Sequence, residues 1–198
     1  MRAVLFGKLP SHGDFVARGI GAMATERWDG WMAEGLDAAR SALGYGFDDA
    51  HGAAPPWRFV RRDPEGAWSA GVLAPSMDLA GRRFLLLLAV EDLDLAQAGA
   101  LGAGTAERME GVLYAAFAEG LDADAAHARA AQVAEEAALS APAADLLRAE
   151  AARSVWWTLG GAAHTADAVA ADEVDGSLLV RMLTPAGAQA TAWREAAA

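Results

Sequence analysis

The chain has 198 residues, a length typical of one domain, and it carries a net charge of -11 at pH 7 and no cysteine. The lack of cysteine excludes disulfides, thiolate metal sites and a thiol nucleophile. The acidic charge disfavours nucleic acid and membrane surfaces as partners, because it repels phosphate backbones and anionic lipids.

The first half of the chain predicts a sheet with one helix. Apolar runs predict the strands, and a helical repeat of apolar positions, with Thr25 as its cap and Gly44 as its stop, predicts the helix. In chain order the predicted elements are a strand at 3–6, a polar loop at 7–14, a helix at 25–43, a loop at 45–56, a hairpin of strands at 57–61 and 68–73, a second polar loop at 74–81 and a strand at 84–90. The last strand is apolar throughout, which is typical of a central strand covered on both faces.

The second half is rich in alanine and predicts helices before the chain returns to the sheet. The predicted elements are a helix from about Thr105, a helix from a cap at Asp124 to about Ala138, a helix that starts at Ser140 and Pro142, a strand at 154–159, and either a strand or a short helix at 178–183.

Strands followed by helices and a further strand indicate an α+β fold. We expect a single, α/β-sandwich-like domain over residues 1–198, with a mixed, mostly antiparallel sheet of about five or six strands flanked by helices. Its core extends to about residue 185, and the tail beyond is frayed. No apolar run approaches the ~20 residues of a membrane span, and the N-terminus lacks a signal-peptide pattern, so a cytoplasmic location is expected.

The first polar loop contains residue types that occur in catalytic sites. Ser11, His12 and Asp14 are the types of a hydrolytic triad, but three neighbours on one loop are not easily aimed at each other. Lys8 follows a glycine without the spacing of a phosphate-binding P-loop. The histidines lack the spacing of metal ligands, so neither a metal nor a cofactor is predicted. These side chains either hold the loop backbone in shape or bind a partner.

The second loop adds a cation and an anion. Arg82 can bind a carboxylate or phosphate, but a structural Asp78–Arg82 pair that closes the turn is the favoured interpretation. Trp156 and Trp157 are neighbours on a strand and face opposite ways, so one of them is expected outside the core as a partner anchor. The candidate partner- or ligand-binding residues are Lys8, Ser11, His12, Asp14, Ser76, Asp78, Arg82 and Trp156.

Five short motifs follow one another over roughly residues 1–160. They are Gly7-Lys8-Leu9-Pro10-Ser11-His12-Gly13-Asp14-Phe15-Val16, Trp28-Asp29-Gly30-Trp31-Met32, Trp57-Arg58-Phe59, Gly71-Val72-Leu73-Ala74-Pro75-Ser76-Met77-Asp78 with Gly81-Arg82 and Phe84, and Ser154-Val155-Trp156-Trp157-Thr158. In this order they resemble the signature of the TagF family of proteins associated with bacterial type VI secretion. Met77 and Leu85 depart from the valine and proline that are usual in that family.

The resemblance implies a non-enzymatic, cytoplasmic accessory protein that acts after translation to restrain the assembly or firing of the secretion machine. It implies protein partners within the type VI secretion system, the forkhead-associated scaffold protein among them, with no nucleic acid and no membrane insertion. The residues leave one alternative open, an enzyme or sensor for a small ligand or a phosphoryl or acyl substrate that uses His12, Asp14 and Arg82. That alternative requires a cavity that joins the two loops.

Overall fold

The computed structural model describes residues 1–139, 153–171 and 175–184, which contain seven strands and five α-helices. The strands are β1 (Arg2–Lys8), β2 (Phe15–Arg18), β3 (Trp57–Arg62), β4 (Trp68–Met77), β5 (Arg83–Leu93), β6 (Ser154–Thr158) and β7 (Asp167–Ala171). The helices are α1 (Ala22–Leu43), α2 (Phe47–Ala53), α3 (Leu95–Glu119), α4 (Ala123–Leu139) and α5 (Gly176–Leu183), with a single 3-10 turn at Gly44–Gly46 before α2.

The strands form one sheet in the order β2-β1-β5-β4-β3-β6-β7, and every neighbouring pair is antiparallel. This confirms the predicted α+β fold, the hairpin of β3 with β4, and a central position for β5, although the described sheet has seven strands instead of about five or six. The additional strands are β2 and β7, with four and five residues at the two edges. Their sequences were not recognised because a short edge strand needs no continuous apolar pattern.

Helices cover both faces of the sheet, and the sheet separates the core into two clusters. On one face α3 packs on β3, β4 and β5, and α4 packs on β1 and β2, around buried residues such as Leu5 and Leu88. On the other face α1 packs on β5 and α5, and contributes Trp28, Met32 and Leu36. Because both faces are covered, the apolar run in β5 is buried on either side.

Three predicted boundaries in the first half were wrong. α1 begins before Thr25, whose hydroxyl donates to the Gly21 carbonyl from within the first turn and does not cap the helix. The predicted loop at 45–56 contains α2, because Phe47 packs into the core and fixes this segment there. The second polar loop is shorter than predicted, because β4 continues pairing with β5 as far as Met77.

The helices of the second half also differ in their starts. α3 begins at Leu95 because Asp94 and Gln97 form a capping box. Asp122 is the residue that caps α4, with its Oδ1 accepting from the Ala125 amide at 2.8 Å. Residues 178–183, for which the sequence allows either a strand or a short helix, belong to α5. The predicted helix from Ser140 and the frayed tail lie outside the described residues.

Candidate functional site

The two predicted polar loops meet at one end of the sheet, where β1 ends beside the turn between β4 and β5. Lys8 Nζ donates to Asp78 Oδ2 at 2.9 Å and to the Arg82 carbonyl at 3.4 Å. Ser76 Oγ donates to the Lys8 carbonyl at 2.7 Å. These four residues, separated by about 70 positions in the chain, therefore form one hydrogen-bonded network.

Asp78 is the centre of this network. Its side chain is 0% exposed, and that of Lys8 is 7% exposed. Asp78 Oδ2 also accepts from Arg82 Nε at 2.7 Å, and Oδ1 accepts from the backbone amides of Arg82 and Ala80 at 2.9 and 3.0 Å. Burial by itself raises the pKa of Asp78, but the hydrogen bonds from Lys8 and Arg82 outweigh it and hold the pKa well below its ordinary value. The carboxylate is therefore ionised at neutral pH, and the predicted Asp78–Arg82 pair is present.

The turn between β4 and β5 is also fastened to the first loop. Arg82 Nη2 donates to the Gly13 carbonyl at 2.5 Å. The backbone amide of Leu79 donates to the His12 carbonyl at 2.8 Å. Arg82 thus bonds Asp78 with one nitrogen and the neighbouring loop with another, and it joins the two loops as a structural clamp.

The triad-type residues of the first loop do not form a relay. Ser11 Oγ donates its hydrogen to the Leu121 carbonyl at 2.6 Å and lies 3.1 Å from His12 Nδ1. Asp14 Oδ1 accepts from the backbone amide of Phe15 at 2.8 Å. Because the serine hydrogen is bonded to a carbonyl and the aspartate to an amide, the arrangement lacks the ordered Asp–His–Ser chain that activates a nucleophile.

Three apolar side chains beside these polar residues are exposed, and the sequence reasoning did not select them. Phe15, Met77 and Leu79 are 45%, 38% and 73% exposed. The Phe15 ring lies edge-on to Phe84 with centroids 4.8 Å apart, and Lys8 Nζ is 5.2 Å from its centroid. A signal was present for Leu79, an apolar residue inside a turn where no strand or helix pattern requires one.

The choice of Trp156 as an exposed anchor was wrong. Its side chain is fully buried, stacked on Phe59 with centroids 4.6 Å apart and 5.7 Å from Trp31. Trp157 points to the other face, where it is partly buried against the core beneath α3 and α4. The alternation along β6 is as predicted, but helices cover both faces, so neither tryptophan is a freely exposed anchor.

Two negative findings apply to residues 1–139, 153–171 and 175–184. Within these ranges no group of three or more His, Cys, Asp or Glu side chains is arranged to hold a metal ion. No helix within them is long and apolar enough to cross a membrane.

The chain is similar to proteins of known family and structure. Residues 4–133 match the TagF N-terminal domain, described as type VI secretion system-associated. A similar solved structure is the crystal structure of PA0076 from Pseudomonas aeruginosa PAO1 at 2.05 Å resolution, with 29% sequence identity and a TM-score of 0.74. The alignment covers 92% of this chain and 94% of that chain. A comparison with curated proteins gives no match. Both polar loops lie inside the matched residues.

Proposed function

Because the chain belongs to the family of TagF N-terminal domains associated with the type VI secretion system, we propose that it restrains this system by binding its other components, without catalysis. The resemblance drawn from five sequence motifs is confirmed at the level of the family. The proposed action is post-translational and cytoplasmic, and the proposed partners include the forkhead-associated scaffold protein.

The observation that supports a binding role is that the polar groups at the end of the sheet are already bonded within the fold. Asp78 accepts four hydrogen bonds, and Lys8 and Arg82 are both committed to it. Groups that are held so firmly make a rigid platform, and they are not free to exchange protons with a substrate. A rigid platform suits recognition, because less conformational freedom is lost when a partner binds.

The exposed groups around this platform provide the contact area. We define the loop surface as Phe15, Met77 and Leu79 together with the polar residues His12 and Asp14. Aromatic and methionine side chains are enriched at protein interfaces, and exposed apolar groups rimmed by polar ones mark interaction sites. The loop surface is therefore where we place the contact with the secretion-system partner.

The alternative of an enzyme or small-ligand sensor is less well supported by this geometry. It assigns Arg82 to a substrate anion, but Nε and Nη2 of that residue bond Asp78 and Gly13. It also assigns His12 to a proton transfer, but the adjacent hydroxyl of Ser11 donates to a backbone carbonyl. A substrate has to displace these internal bonds before either group can act.

A matched pair of variants tests the proposal. Leu79→Asp places a charge on the loop surface, and Leu95→Asp makes the same change at the start of α3, beyond the other end of β5, where the leucine is 51% exposed. The measurements are binding to purified secretion-system components, including the forkhead-associated scaffold protein, and secretion by cells that overproduce each variant.

We expect the wild type and Leu95→Asp to bind a component and lower secretion, and Leu79→Asp to do neither while unfolding at the same temperature as wild type. A buried interface charge without a partner should weaken binding by about tenfold or more. Equal binding by both variants contradicts the assignment of the loop surface. Failure of the wild type to bind any component, or to lower secretion, contradicts the proposed function itself.

A further inference from the structure

A cavity of about 460 Å³ lies at the end of the sheet opposite the loop surface. It is open to solvent on one side and is lined by the start of α1, the end of β3, the start of β4 and the end of β5. Its volume falls in the ~300–1,000 Å³ range of small-molecule sites. Trp28 and Met23 are among the apolar residues that line it, beside several charged side chains.

Arg61 gives this cavity an unusual chemical character. Its guanidinium carbon lies over the Trp28 ring, 4.6 Å from the centroid, in the arrangement of a cation–π contact. No acceptor among the described residues makes a hydrogen bond or ion pair with it. The other stacked arginine, Arg40 on Phe47, forms an ion pair with Asp37 at 2.8 Å. An arginine of this protein can therefore stack on a ring and form an ion pair at the same time, and the stacking of Arg61 does not explain its lack of an acceptor.

The other charged side chains that line the cavity near Arg61 are bonded to groups other than Arg61. Arg2 Nη2 bonds Glu91 at 2.9 Å, and Arg27 Nη1 bonds Glu65 at 2.8 Å. Asp63 Oδ1 accepts a backbone amide of its own turn at 2.8 Å. The acids that face Arg61 are thus already bonded to other groups.

Partial burial also affects the ionisation of the Arg61 guanidinium. Loss of water around Arg61 lowers its pKa, and the charges of Asp63 and Glu91 act in the opposite direction while Arg27 adds to the lowering. The group remains cationic, because arginine stays protonated in proteins. A partly buried cation without an acceptor among the described residues is stabilised by an anion that reaches it.

We propose that this cavity binds a ligand that carries one carboxylate on an apolar body. The carboxylate lies on the Arg61 guanidinium, which can donate two parallel hydrogen bonds to it, and the apolar part lies against Trp28 and Met23. The uncapped start of α1 at Gly21 lines the same cavity and adds positive potential. Acidic side chains in the wall repel an anion of higher charge, which favours a carboxylate over a phosphate.

The first experiment compares three probes on the wild-type chain by isothermal titration calorimetry. The probes are benzoate, its neutral isostere benzamide, and inorganic phosphate, all at one ionic strength. We expect saturable binding of benzoate, with benzamide and phosphate weaker by about tenfold or more. In an NMR titration, the indole N–H signal of Trp28 should shift with benzoate more than that of Trp68, whose side chain packs on the other face of the sheet. No saturable benzoate binding, or equal binding of benzamide, overturns the proposal.

Variants of β3 then assign the contact. Arg61→Gln should weaken benzoate binding by about tenfold or more, and Arg61→Lys should have an intermediate effect, because lysine keeps the charge but loses the planar fork. Arg62→Gln is the matched control, since Arg62 lies outside the cavity on the same strand, and it should bind like the wild type. Unchanged binding in both Arg61 variants overturns the proposal. If Arg61→Gln does not fold, Arg61→Lys and the comparison of probes decide the question.

Discussion

Replacement of Lys8 by methionine should test whether the network at the end of β1 holds the fold together. Lys8 is the only lysine of the chain, and methionine keeps most of its apolar stem while removing the ammonium group. Removing one partner of a buried ion pair costs about 3–5 kcal/mol when the other charge is left uncompensated. Asp78 retains the Arg82 side chain and two backbone amides, so we expect a smaller loss of about 2 kcal/mol in the free energy of unfolding.

Urea unfolding of wild type and Lys8→Met at several pH values measures this loss and its cause. The pKa of Asp78 is lower in the folded chain than in the unfolded chain, so its contribution is present above its ordinary pKa and is lost as the pH falls below about 4. The unfolded-state pKa is common to both proteins, so the stability difference between them should persist near pH 4 and narrow only as the pH falls toward the depressed folded-state pKa values of Asp78. A difference below about 0.5 kcal/mol at pH 7 refutes the reasoning.

Three further predictions concern the stability of the fold. Gly7→Ala should lower the free energy of unfolding by about 2–4 kcal/mol in urea, because φ is +128° and the added Cβ meets the carbonyl oxygen of Leu85 on β5. An unchanged midpoint contradicts this. Trp156→Ala should cost about 3–5 kcal/mol and Trp157→Ala clearly less, since only the former is fully buried; equal losses contradict the assignment of faces. In thermal unfolding, Arg58→Met should be more destabilising than Arg27→Met, because the ion-pair side chains are 13% and 13% exposed for Arg58 but 44% and 59% for Arg27; the reverse order contradicts the expected effect of burial.

The sheet was predictable where the amino-acid pattern is local. The apolar run at 84–90 has the length of a strand and favours a strand covered on both faces, and the turn at 63–66 places its two flanking strands side by side. The helical repeat at 25–43 predicts α1 correctly, but the helix begins at Ala22, three residues before the predicted cap at Thr25. Each of these elements can be predicted from residues that are neighbours in the sequence.

The remaining features depend on contacts between distant segments. β2 is a strand because it pairs with β1, and its own four residues carry no strand pattern. The Lys8–Asp78 bond requires β1 to lie next to β5, an order of strands that no local pattern specifies. The burial of Trp156 likewise depends on α1, whose Trp31 packs near its ring.

The motif residues at the end of the sheet have structural roles, so their presence in the motifs is not by itself evidence for a binding site. Gly7 allows β1 to pass close to β5, Lys8 and Arg82 neutralise the buried Asp78, and Ser76 bonds the β1 backbone. A variant of any of these residues can lose partner binding simply because the platform unfolds. The exposed Leu79 sits in the same turn and contributes little to this network through its side chain. Loss of binding in a stably folded Leu79→Asp protein is therefore stronger evidence for an interface than loss of binding in any variant of the motif residues themselves.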